Sequence, residues 1–589
     1  MSALAALVGA YDRMAERGEV PPFGYSTEKI GFVISLNEDG TPAGIPADLR
    51  EVSGREKKSR LMPVPASFKR PGVTPRPFFL WDNTAFAIGV TASDSKDPVI
   101  RFDAFRKKHL NVLQNSTDAG LLALRRFVEC WNATDFASLG WPEEMKDQNV
   151  VFALESERLS GRYIHDRAAA RSLWAQLAAE DKKGQAVCLI TGIRGPIARL
   201  HPAIKGVWGA QSSGASIVSF NIDAFESYGH SQGDNAPVSE AAAFAYTTVL
   251  NKFLETGSRN RLQIGDTSTV FWAEASDAAR ADTAENIFAA FVNPAEDDAV
   301  AAEKISSILH KLRQGLPLKS FAPDLAEGVR FYVLGLAPNA ARLSVRFWFE
   351  SNFGEITTNY QRYLRDMAIT PPPYKAQVPL WRYLIELAVL GKRENIPPNL
   401  AGEWLRGILS GTPYPATLLS AVLMRLRADR DVNAYRIAML KAVLVRNMKK
   451  ENTPVALDLE NREKGYLLGR LFAVYEQVQT AALGRDVNAT IKDKFYGAAS
   501  AQPRKVFCLL DKGSANHLAK VGKTSPGRRV NLEKDIAAIM DVMAPGEDPF
   551  PAALSSADQA LFGLGYYHQR SEYFKSRKDA SAPAEEHTP

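Results

Sequence analysis

Few side chains in this sequence form a pattern that catalysis requires. The best candidate is the dipeptide His165-Asp166, a pattern that metal-dependent phosphohydrolases use as a pair of metal ligands. Such a site needs further histidine and aspartate ligands on neighbouring helices, and the eight histidines of the chain offer no convincing set. Ser-His-Asp order, zinc-ligand spacing and a G-x-x-x-x-G-K-[S/T] phosphate loop are all missing. The sequence therefore predicts no enzyme, no metal and no cofactor, with a metal-dependent nuclease or RNA-processing enzyme as the alternative.

The glycine-rich stretch of residues 187–251 has the chemistry of a contact surface. Glycine takes positive φ easily and lets a second backbone, of protein or nucleic acid, approach closely. Gly206, Gly209 and Gly214 lie here beside serines and basic side chains. The stretch predicts three elements, which are a strand at residues 187–190, a β-prone run at residues 215–220 and a helix that begins after Ser239.

Residues 51–76 combine basic side chains with prolines. Seven lysines and arginines oppose Glu51 and Glu56, and the prolines with Gly72 predict an extended loop, not a helix. Such a loop would place its cations where phosphates can reach them. A solvated loop above ordinary buried phenylalanines is the alternative. The basic residues are Arg55, Lys57, Lys58, Arg60, Lys69, Arg70 and Arg76.

Charge is most one-sided between residues 485 and 529. Ten basic residues oppose three aspartates there, and this imbalance indicates a polyanionic partner. A solvated helix face is the alternative. The ten are Arg485, Lys492, Lys494, Arg504, Lys505, Lys512, Lys520, Lys523, Arg528 and Arg529.

The chain length and the strand and helix patterns around these groups predict an α+β, multidomain chain. A length of 589 residues exceeds what one hydrophobic core holds. Strand patterns, including a hairpin at residues 329–349 with Arg342 and Arg346 on one face, continue to about residue 355, and helical patterns follow. The predicted regions are 1–355 (mixed α/β with β-hairpins), 356–447 (helical connection), 448–575 (all-α bundle) and 576–589 (disordered tail).

Composition narrows the class further. The net charge of +6 permits a nucleic-acid partner without requiring one, because 66 acidic residues accompany 72 basic ones. The three cysteines are far apart and form no CxxC pair, which favours a reducing compartment. The sequence shows neither a signal-peptide pattern nor an apolar run of about 18 residues. We therefore expect a cytoplasmic protein without a membrane partner.

Several ordered blocks of the chain resemble the CRISPR-associated large subunit of subtype I-C Cascade (the Csd-one, or Cas-eight-c, family). The resemblance runs along most of the chain and is more specific than any short motif above. In the first region the blocks are Leu200-His-Pro-Ala-Ile-Lys-Gly-Val, Ser213-Gly-Ala, Ser219-Phe-Asn, Ser227-Tyr-Gly and Asn235-Ala-Pro-Val-Ser-Glu. In the last region they are Tyr466-Leu-Leu-Gly-Arg-Leu-Phe-Ala-Val, Asn488-Ala-Thr-Ile-Lys-Asp-Lys-Phe-Tyr-Gly and Phe562-Gly-Leu-Gly-Tyr-Tyr-His-Gln-Arg.

The resemblance implies a non-catalytic subunit of an RNA-guided surveillance complex in antiviral defence. Such a subunit reads the protospacer-adjacent motif (PAM) of double-stranded DNA, promotes duplex opening and R-loop formation, and stabilises the displaced single strand. The implied partners are that DNA, the backbone and end subunits that carry the CRISPR RNA, and a helicase–nuclease. A small subunit made from an internal start, with Met448 as first and Met439 as second candidate, is implied too. A scaffold that contacts only protein is a further alternative.

The resemblance also suggests which residues touch DNA. Amide and hydroxyl groups on small loops suit minor-groove reading, and lysines and arginines suit phosphate contacts. The candidates in the PAM region are Lys57, Lys58, Arg60, Lys69, Arg70, Arg76, Lys205, Gln211, Ser212, Ser213, Gly214, Gln232 and Asn235. The candidates for the displaced strand are Lys492, Lys494, Arg504, Lys505, Lys520, Lys523 and Arg528.

Overall fold

The computed structural model of the chain confirms the predicted α+β class. It describes residues 2–53, 56–67, 75–93, 97–180, 185–220, 222–292, 303–374, 378–397, 399–484, 487–543 and 548–574. The chain forms two compact units, Met1–Ala203 with Val218–Lys252, and Ile204–Ile217 with Phe253–Pro589. The predicted boundaries at residues 355 and 447 both lie within the second unit and stay predictions. The predicted disordered tail lies outside the described residues.

The first unit combines short strands with helices. Its strands are β1 Tyr25–Ile30, β2 Phe32–Leu36, β3 Ala47–Asp48, β4 Glu51–Ser53, β5 Glu56–Lys58, β6 Arg60–Pro65, β7 Trp81–Asn83, β8 Asn149–Leu154, β9 Gln185–Val187 and β10 Arg194–Pro196. Its helices are α1 Ala3–Glu16, α2 Thr84–Ala87, α3 Pro98–Val112, α4 Ala119–Cys130, α5 Asp135–Ser138, α6 Glu155–Arg158, α7 Ala168–Glu180 and α8 Glu240–Phe253.

A four-stranded sheet in the order β3-β2-β8-β7 is the centre of the first unit. The strands β2 and β8 are parallel, and both read as continuous apolar runs because both faces of the sheet are covered. Phe32 and Ile34 face the core formed with α3 and α4. Val33, on the opposite face, packs with Met62 and Val64 of β6. Alternate residues of one strand thus belong to two different cores.

The predicted loop at residues 51–76 is wrong between residues 51 and 65, where three strands form, and residues 68–74 lie outside the described residues. The strands β4 and β5 form a hairpin, and β6 pairs antiparallel with β1 from Ile30↔Arg60 to Tyr25↔Pro65. Prolines usually argue against a strand because they lack the N–H that a ladder needs. Pro63 and Pro65 are tolerated in β6 because it lies in a two-stranded ribbon, where one edge of the strand forms no ladder hydrogen bonds.

The second unit contains one sheet and most of the helices. Its strands are β11 Arg261–Ile264, β12 Thr267–Glu274, β13 Arg330–Asn339 and β14 Arg342–Asn352, all antiparallel in that order. Its helices are α9 Ala278–Val292, α10 Glu303–Arg313, α11 Pro323–Glu327, α12 Phe353–Met367, α13 Leu380–Ile385, α14 Leu400–Ser410, α15 Ala416–Asp429, α16 Ala434–Met448, α17 Lys464–Leu483, α18 Ile491–Ala501, α19 Pro503–Thr524, α20 Pro526–Val542 and α21 Ser556–Glu572.

The predicted hairpin at residues 329–349 is confirmed as β13 and β14. Its register shifts between Gly335 and Leu336, which interrupts the predicted alternation: Leu343 and Phe347 are buried while Val345 is 47% exposed. Arg346 forms an ion pair with Asp266 at 3.2 Å.

The helix α17 lies at the centre of the C-terminal helices. Every residue from Gly465 to Glu476 is buried, so the helix is enclosed on all sides, whereas the sequence predicts one apolar stripe. The buried carboxylate of Glu476 accepts a hydrogen bond from the Tyr566 hydroxyl at 2.5 Å, and the Arg470 guanidinium donates to Gln569 at 3.1 Å. These partners lie on α21, which runs beside α17.

Candidate nucleic-acid interface

The predicted contact residues of the glycine-rich stretch lie in two separate turns. Gln211, Ser212, Ser213 and Gly214 form one turn, closed by the Gly214 N–H donating to the Gln211 carbonyl at 2.9 Å. The first three are exposed. This turn belongs to the second unit, whereas Gln232 and Asn235 belong to the first unit.

The 211–214 turn is held by the β-sheet of the second unit. Ile204 and Ala215 exchange backbone hydrogen bonds at 2.8 and 2.9 Å across the base of the loop, and the Leu343 N–H donates to Ser216 at 2.9 Å. The glycine Gly206 has a φ of +85°, and a Cβ there would lie 2.6 Å from the Leu254 carbonyl oxygen. The backbone therefore needs glycine at residue 206, and the exposed hydroxyls are presented on a supported loop.

The predicted strand at residues 187–190 is wrong in its bounds, and the β-prone run at residues 215–220 forms no strand. The strand β9 covers residues 185–187 and pairs with β10, and the chain turns at residues 189–191. The run at residues 215–220 forms isolated bridges at Ala215 and Ser216 and no strand. Apolar β-prone residues predict an extended backbone, but a strand also needs a neighbouring segment of similar length for its backbone hydrogen bonds.

The amides of Gln232 and Asn235 are engaged within their own loop. The Asn235 Oδ1 atom accepts from the Ser227 N–H at 3.1 Å, and its Nδ2 donates to the carbonyls of His230 and Gln232 at 3.2 and 3.0 Å. The Arg199 Nε–H donates to Gln232 Oε1. Both amides hold the loop in its shape, and their role as base readers stays a prediction.

The predicted start of α8 after Ser239 is confirmed. The Ser239 hydroxyl oxygen accepts from the Ala242 N–H at 3.2 Å. On the same helix the Tyr246 hydroxyl lies 2.6 Å from His201 Nδ1, and burial lowers the pKa of His201 below its usual value. This hydrogen bond ties the loop at residue 201 to α8.

The basic residues of the β4–β6 region differ in how free they are. Lys57 Nζ lies 3.0 Å from Asp48 and 3.3 Å from Glu144, and its hydrogen bond to Asp48 raises the pKa of this lysine. A phosphate would compete with these carboxylates for Lys57.

Lys58 and Arg60 are exposed and have no ion-pair partner among the described residues. The remaining candidates divide into Arg76, which is exposed, and Lys69 and Arg70, which lie outside the described residues.

The His165-Asp166 pair forms part of a 3-10 turn beneath the sheet. His165 is fully buried, which lowers its pKa to about 4, and its Nε2 lies 3.8 Å from Asp166 Oδ1. Asp166 accepts from the Tyr163 N–H at 3.2 Å and thereby caps the turn. Within the described residues no group of three His, Cys, Asp or Glu side chains is placed to hold a metal ion.

The basic segment near the C-terminus forms a defined stripe on α19. Four exposed lysines span about 80° of the helix circumference and about 27 Å of its length, at 100° and 1.5 Å per residue. The one acidic residue of α19, Asp511, accepts from the Tyr475 hydroxyl at 3.1 Å and lies off this face. We call this surface the α19 lysine stripe, and its members are Lys505, Lys512, Lys520 and Lys523.

The other predicted basic residues flank the stripe less directly. Arg504 forms an ion pair with Asp548, and Arg528 is exposed on α20. Lys492 and Lys494 lie in the first turn of α18, next to the capping box of Thr490. Sequence reasoning left Lys512 out of the candidate site, although its spacing of seven from Lys505 and eleven from Lys523 identifies it as a member of one helical face.

Comparison with known families gives a match over nearly the whole chain. The family model described as CRISPR-associated protein (Cas_Csd1) matches residues 7–574. The chain belongs to the Csd1 family. It is therefore a large subunit of the type I-C CRISPR Cascade, as the resemblance implied. No curated protein matches the chain. None of the described helices combines the length and the hydropathy of a transmembrane segment.

In this Csd1 chain, two of the blocks that carry the resemblance meet in space. Residues 466–474 lie on α17 and residues 562–570 lie on α21, and both contain glycines at the contact between the two helices. These blocks form the core of the helical part rather than an exposed contact surface.

Proposed function

We propose that this chain is the DNA-recognition subunit of its Cascade. In this role it reads the PAM on double-stranded DNA, promotes duplex opening and R-loop formation, stabilises the displaced strand and supports recruitment of the helicase–nuclease. The observation that carries the proposal is the α19 lysine stripe, together with membership of the Csd1 family.

The stripe suits a single strand because its charge is linear and no acidic residue of α19 lies on the same face of the helix. Lysines bind phosphates as point charges, with little demand on geometry. Backbone contacts of this kind hold any sequence, which is what a displaced strand requires. Leu509, which is 60% exposed, lies within the arc of the stripe and offers an apolar surface for a base against the helix.

The exposed 211–214 turn suits motif reading. In the minor groove an amide or hydroxyl can distinguish base pairs by the acceptors and the guanine amino group found there. Gln211, Ser212 and Ser213 offer such groups on a loop supported by backbone hydrogen bonds. Guide pairing reads the rest of the target, so a short motif is all that the protein has to read.

The test is binding of the reconstituted guide complex to duplex DNA with a randomised flanking trinucleotide, with and without this chain, at two salt concentrations. We expect the chain to confer a flank preference, and Gln211→Ala with Ser212→Ala and Ser213→Ala to weaken that preference. Binding that is independent of the flank would place motif reading elsewhere and favour a protein-only scaffold. Cleavage lost in His165→Ala would instead favour the nuclease alternative.

The small subunit is part of the same proposal. A start at Met448, the last residue of α16, would yield α17 to α21 as a separate chain that carries the α19 lysine stripe. Several copies would line a longer groove with the same charge. A second band on a denaturing gel that disappears in Met448→Leu would support this start, and one that persists would favour Met439.

A further inference from the structure

The exposed loop between Ser227 and Asn235 carries a tyrosine in a backbone conformation that tyrosine rarely takes. Tyr228 has a φ of 52° and Gly229 a φ of 79°, and the His230 N–H donates to the Ser227 carbonyl at 2.9 Å. These are the features of a type I′ turn, which favours Asn, Asp or Gly at its first central position. A tyrosine at residue 228 therefore strains the turn.

Packing of the Tyr228 side chain does not offset this strain. Tyr228 is 98% exposed, so both faces of its ring are open to solvent. Ser227, Gly229 and His230 beside it are exposed as well and form no apolar patch. An aromatic anchor for a protein partner usually lies within such a patch, which excludes water around it. A lone ring among small and polar neighbours suits a flat ligand that stacks on it.

The loop behind the tyrosine is tied at several points. The Asn235 amide bonds to both ends of the turn, at the Ser227 N–H and the His230 carbonyl. Gly233 packs so tightly on the chain beneath that a Cβ would lie 2.0 Å from the Ala198 carbonyl oxygen. With Arg199 bound to Gln232, these contacts fix the direction in which the tip projects.

We infer that Tyr228 is a stacking platform for an unpaired nucleobase, positioned by Asn235 and Gln232. The inference rests on the proposed function, because opening of duplex DNA supplies such a base. Aromatic rings stack on every base, whatever its sequence. Exposed Glu226 and Asp234 near the turn disfavour a phosphate contact and leave the ring face as the recognition element. Asn235 and Gln232 thus act through Tyr228 instead of touching bases.

The test compares Tyr228→Asn and Tyr228→Phe in the full-length chain. The DNA probe is a duplex with a central unpaired bubble that contains 2-aminopurine, and the reference is the same duplex closed by an interstrand crosslink. We expect Tyr228→Asn to weaken binding to the bubble between about 5-fold and about 150-fold and to abolish the fluorescence quench, without weakening binding to the closed duplex. Tyr228→Phe keeps the ring and retains both.

Stability separates this effect from misfolding. Asparagine fits the strained position, so Tyr228→Asn is expected to raise the melting temperature while it weakens binding. The matched control is Tyr374→Asn, which removes a tyrosine that is 100% exposed and is not at positive φ. The control should change neither binding nor quenching.

Two results would overturn the inference. If Tyr228→Asn binds the bubble as tightly as the wild type, or loses binding equally on the closed duplex, Tyr228 does not stack on a base. If the wild-type chain binds neither DNA, the proposed function fails and this inference fails with it.

Discussion

At the scale of single residues, burial fixes three histidines in the neutral form. The Leu80 N–H donates to His109 Nε2 at 2.9 Å, and His109 Nδ1 lies 2.8 Å from the Phe105 carbonyl oxygen, which requires a proton on Nδ1. Burial lowers the pKa of His109 to about 3 and those of His165 and His568 to about 4. All three imidazole rings are buried and lie away from the surface.

Because these histidines stay neutral in the folded chain, we expect the free energy of unfolding to decrease as the pH falls from 7 to 5. Below about pH 6.5 the unfolded chain binds protons that the folded chain cannot, so each histidine costs about 1.4 kcal/mol of stability per pH unit down to its folded pKa. Urea unfolding at both pH values measures the decline. The variant His109→Gln should decline less steeply, and an equal slope would contradict the assignment.

A side-chain amide can read a base edge or support a loop. Gln232 and Asn235 have the groups that read base edges, which is why the sequence suggests them. The structure uses those groups to hold the Tyr228 turn. Because a side-chain amide can serve either purpose, its type predicts the capacity for hydrogen bonding and not the partner.

At the scale of elements, glycines set the distance between α17 and α21. A Cβ at Gly465 would lie 2.2 Å from the Asp558 carbonyl oxygen, one at Gly469 2.1 Å from that of Phe562, and one at Gly565 2.1 Å from that of Tyr466. Backbone therefore meets backbone along this contact, and no larger residue fits without separating the helices.

The variant Gly469→Ala should destabilise the second unit by about 1–3 kcal/mol or more, since its methyl group overlaps a backbone carbonyl that cannot move alone. Thermal unfolding of the full-length chain measures the effect. The matched control is Gly513→Ala on α19, where a Cβ would meet nothing within 4 Å. It should stabilise its helix by up to about 1 kcal/mol, because alanine is the better helix former. Equal effects of the two variants would contradict the close contact.

If the α19 lysine stripe binds phosphates, the affinity for single-stranded DNA should depend on salt through these four lysines. Replacing Lys505, Lys512, Lys520 and Lys523 by alanine should reduce the slope of log K against log salt for single-stranded DNA by about 3, at about 0.7 per phosphate contact. Fluorescence anisotropy over a salt series measures this slope. The control pair is Lys107→Ala with Lys319→Ala, which removes exposed lysines already paired with Asp103 and Glu327. An unchanged slope in the stripe variant would return this surface to the role of a solvated helix face.

At the scale of the whole molecule, the C-terminal helices share one core with the helices before them. Ile437, Leu440 and Leu444 of α16 are fully buried in the same core as α17 and α21. A Cβ at Gly563 of α21 would lie 3.0 and 3.2 Å from the methyl groups of Leu440 and Ile437. A chain that begins at Met448 would leave this apolar face of α21 uncovered.

A fragment from Asn433, the N-cap of α16, should therefore unfold at a higher temperature than a fragment from Met448. Circular dichroism melting of both fragments, each ending at residue 574, measures the difference. We also expect the shorter fragment to bind more of a hydrophobic dye, since it exposes the α21 face. Equal melting temperatures would show that α17 to α21 are stable without α16.

Local sequence patterns were enough to predict the classes of structure and chemistry in this protein. Period-two and helical patterns predicted the β13–β14 hairpin and the C-terminal helices, capping residues predicted the start of α8, and ordered blocks indicated the Csd1 family. These features depend on neighbours in the chain, so local residues suffice to predict them.

Which polar side chains are exposed and which are hydrogen-bonded or ion-paired depends on the folded chain. It paired Lys57 with Asp48 and Glu144, placed β6 beside β1 despite its prolines, and enclosed α17 on every side. It also left Tyr228 exposed on a strained turn. Each outcome depends on residues distant in the sequence or on backbone angles that composition does not specify, because burial and pairing arise only when separate segments meet.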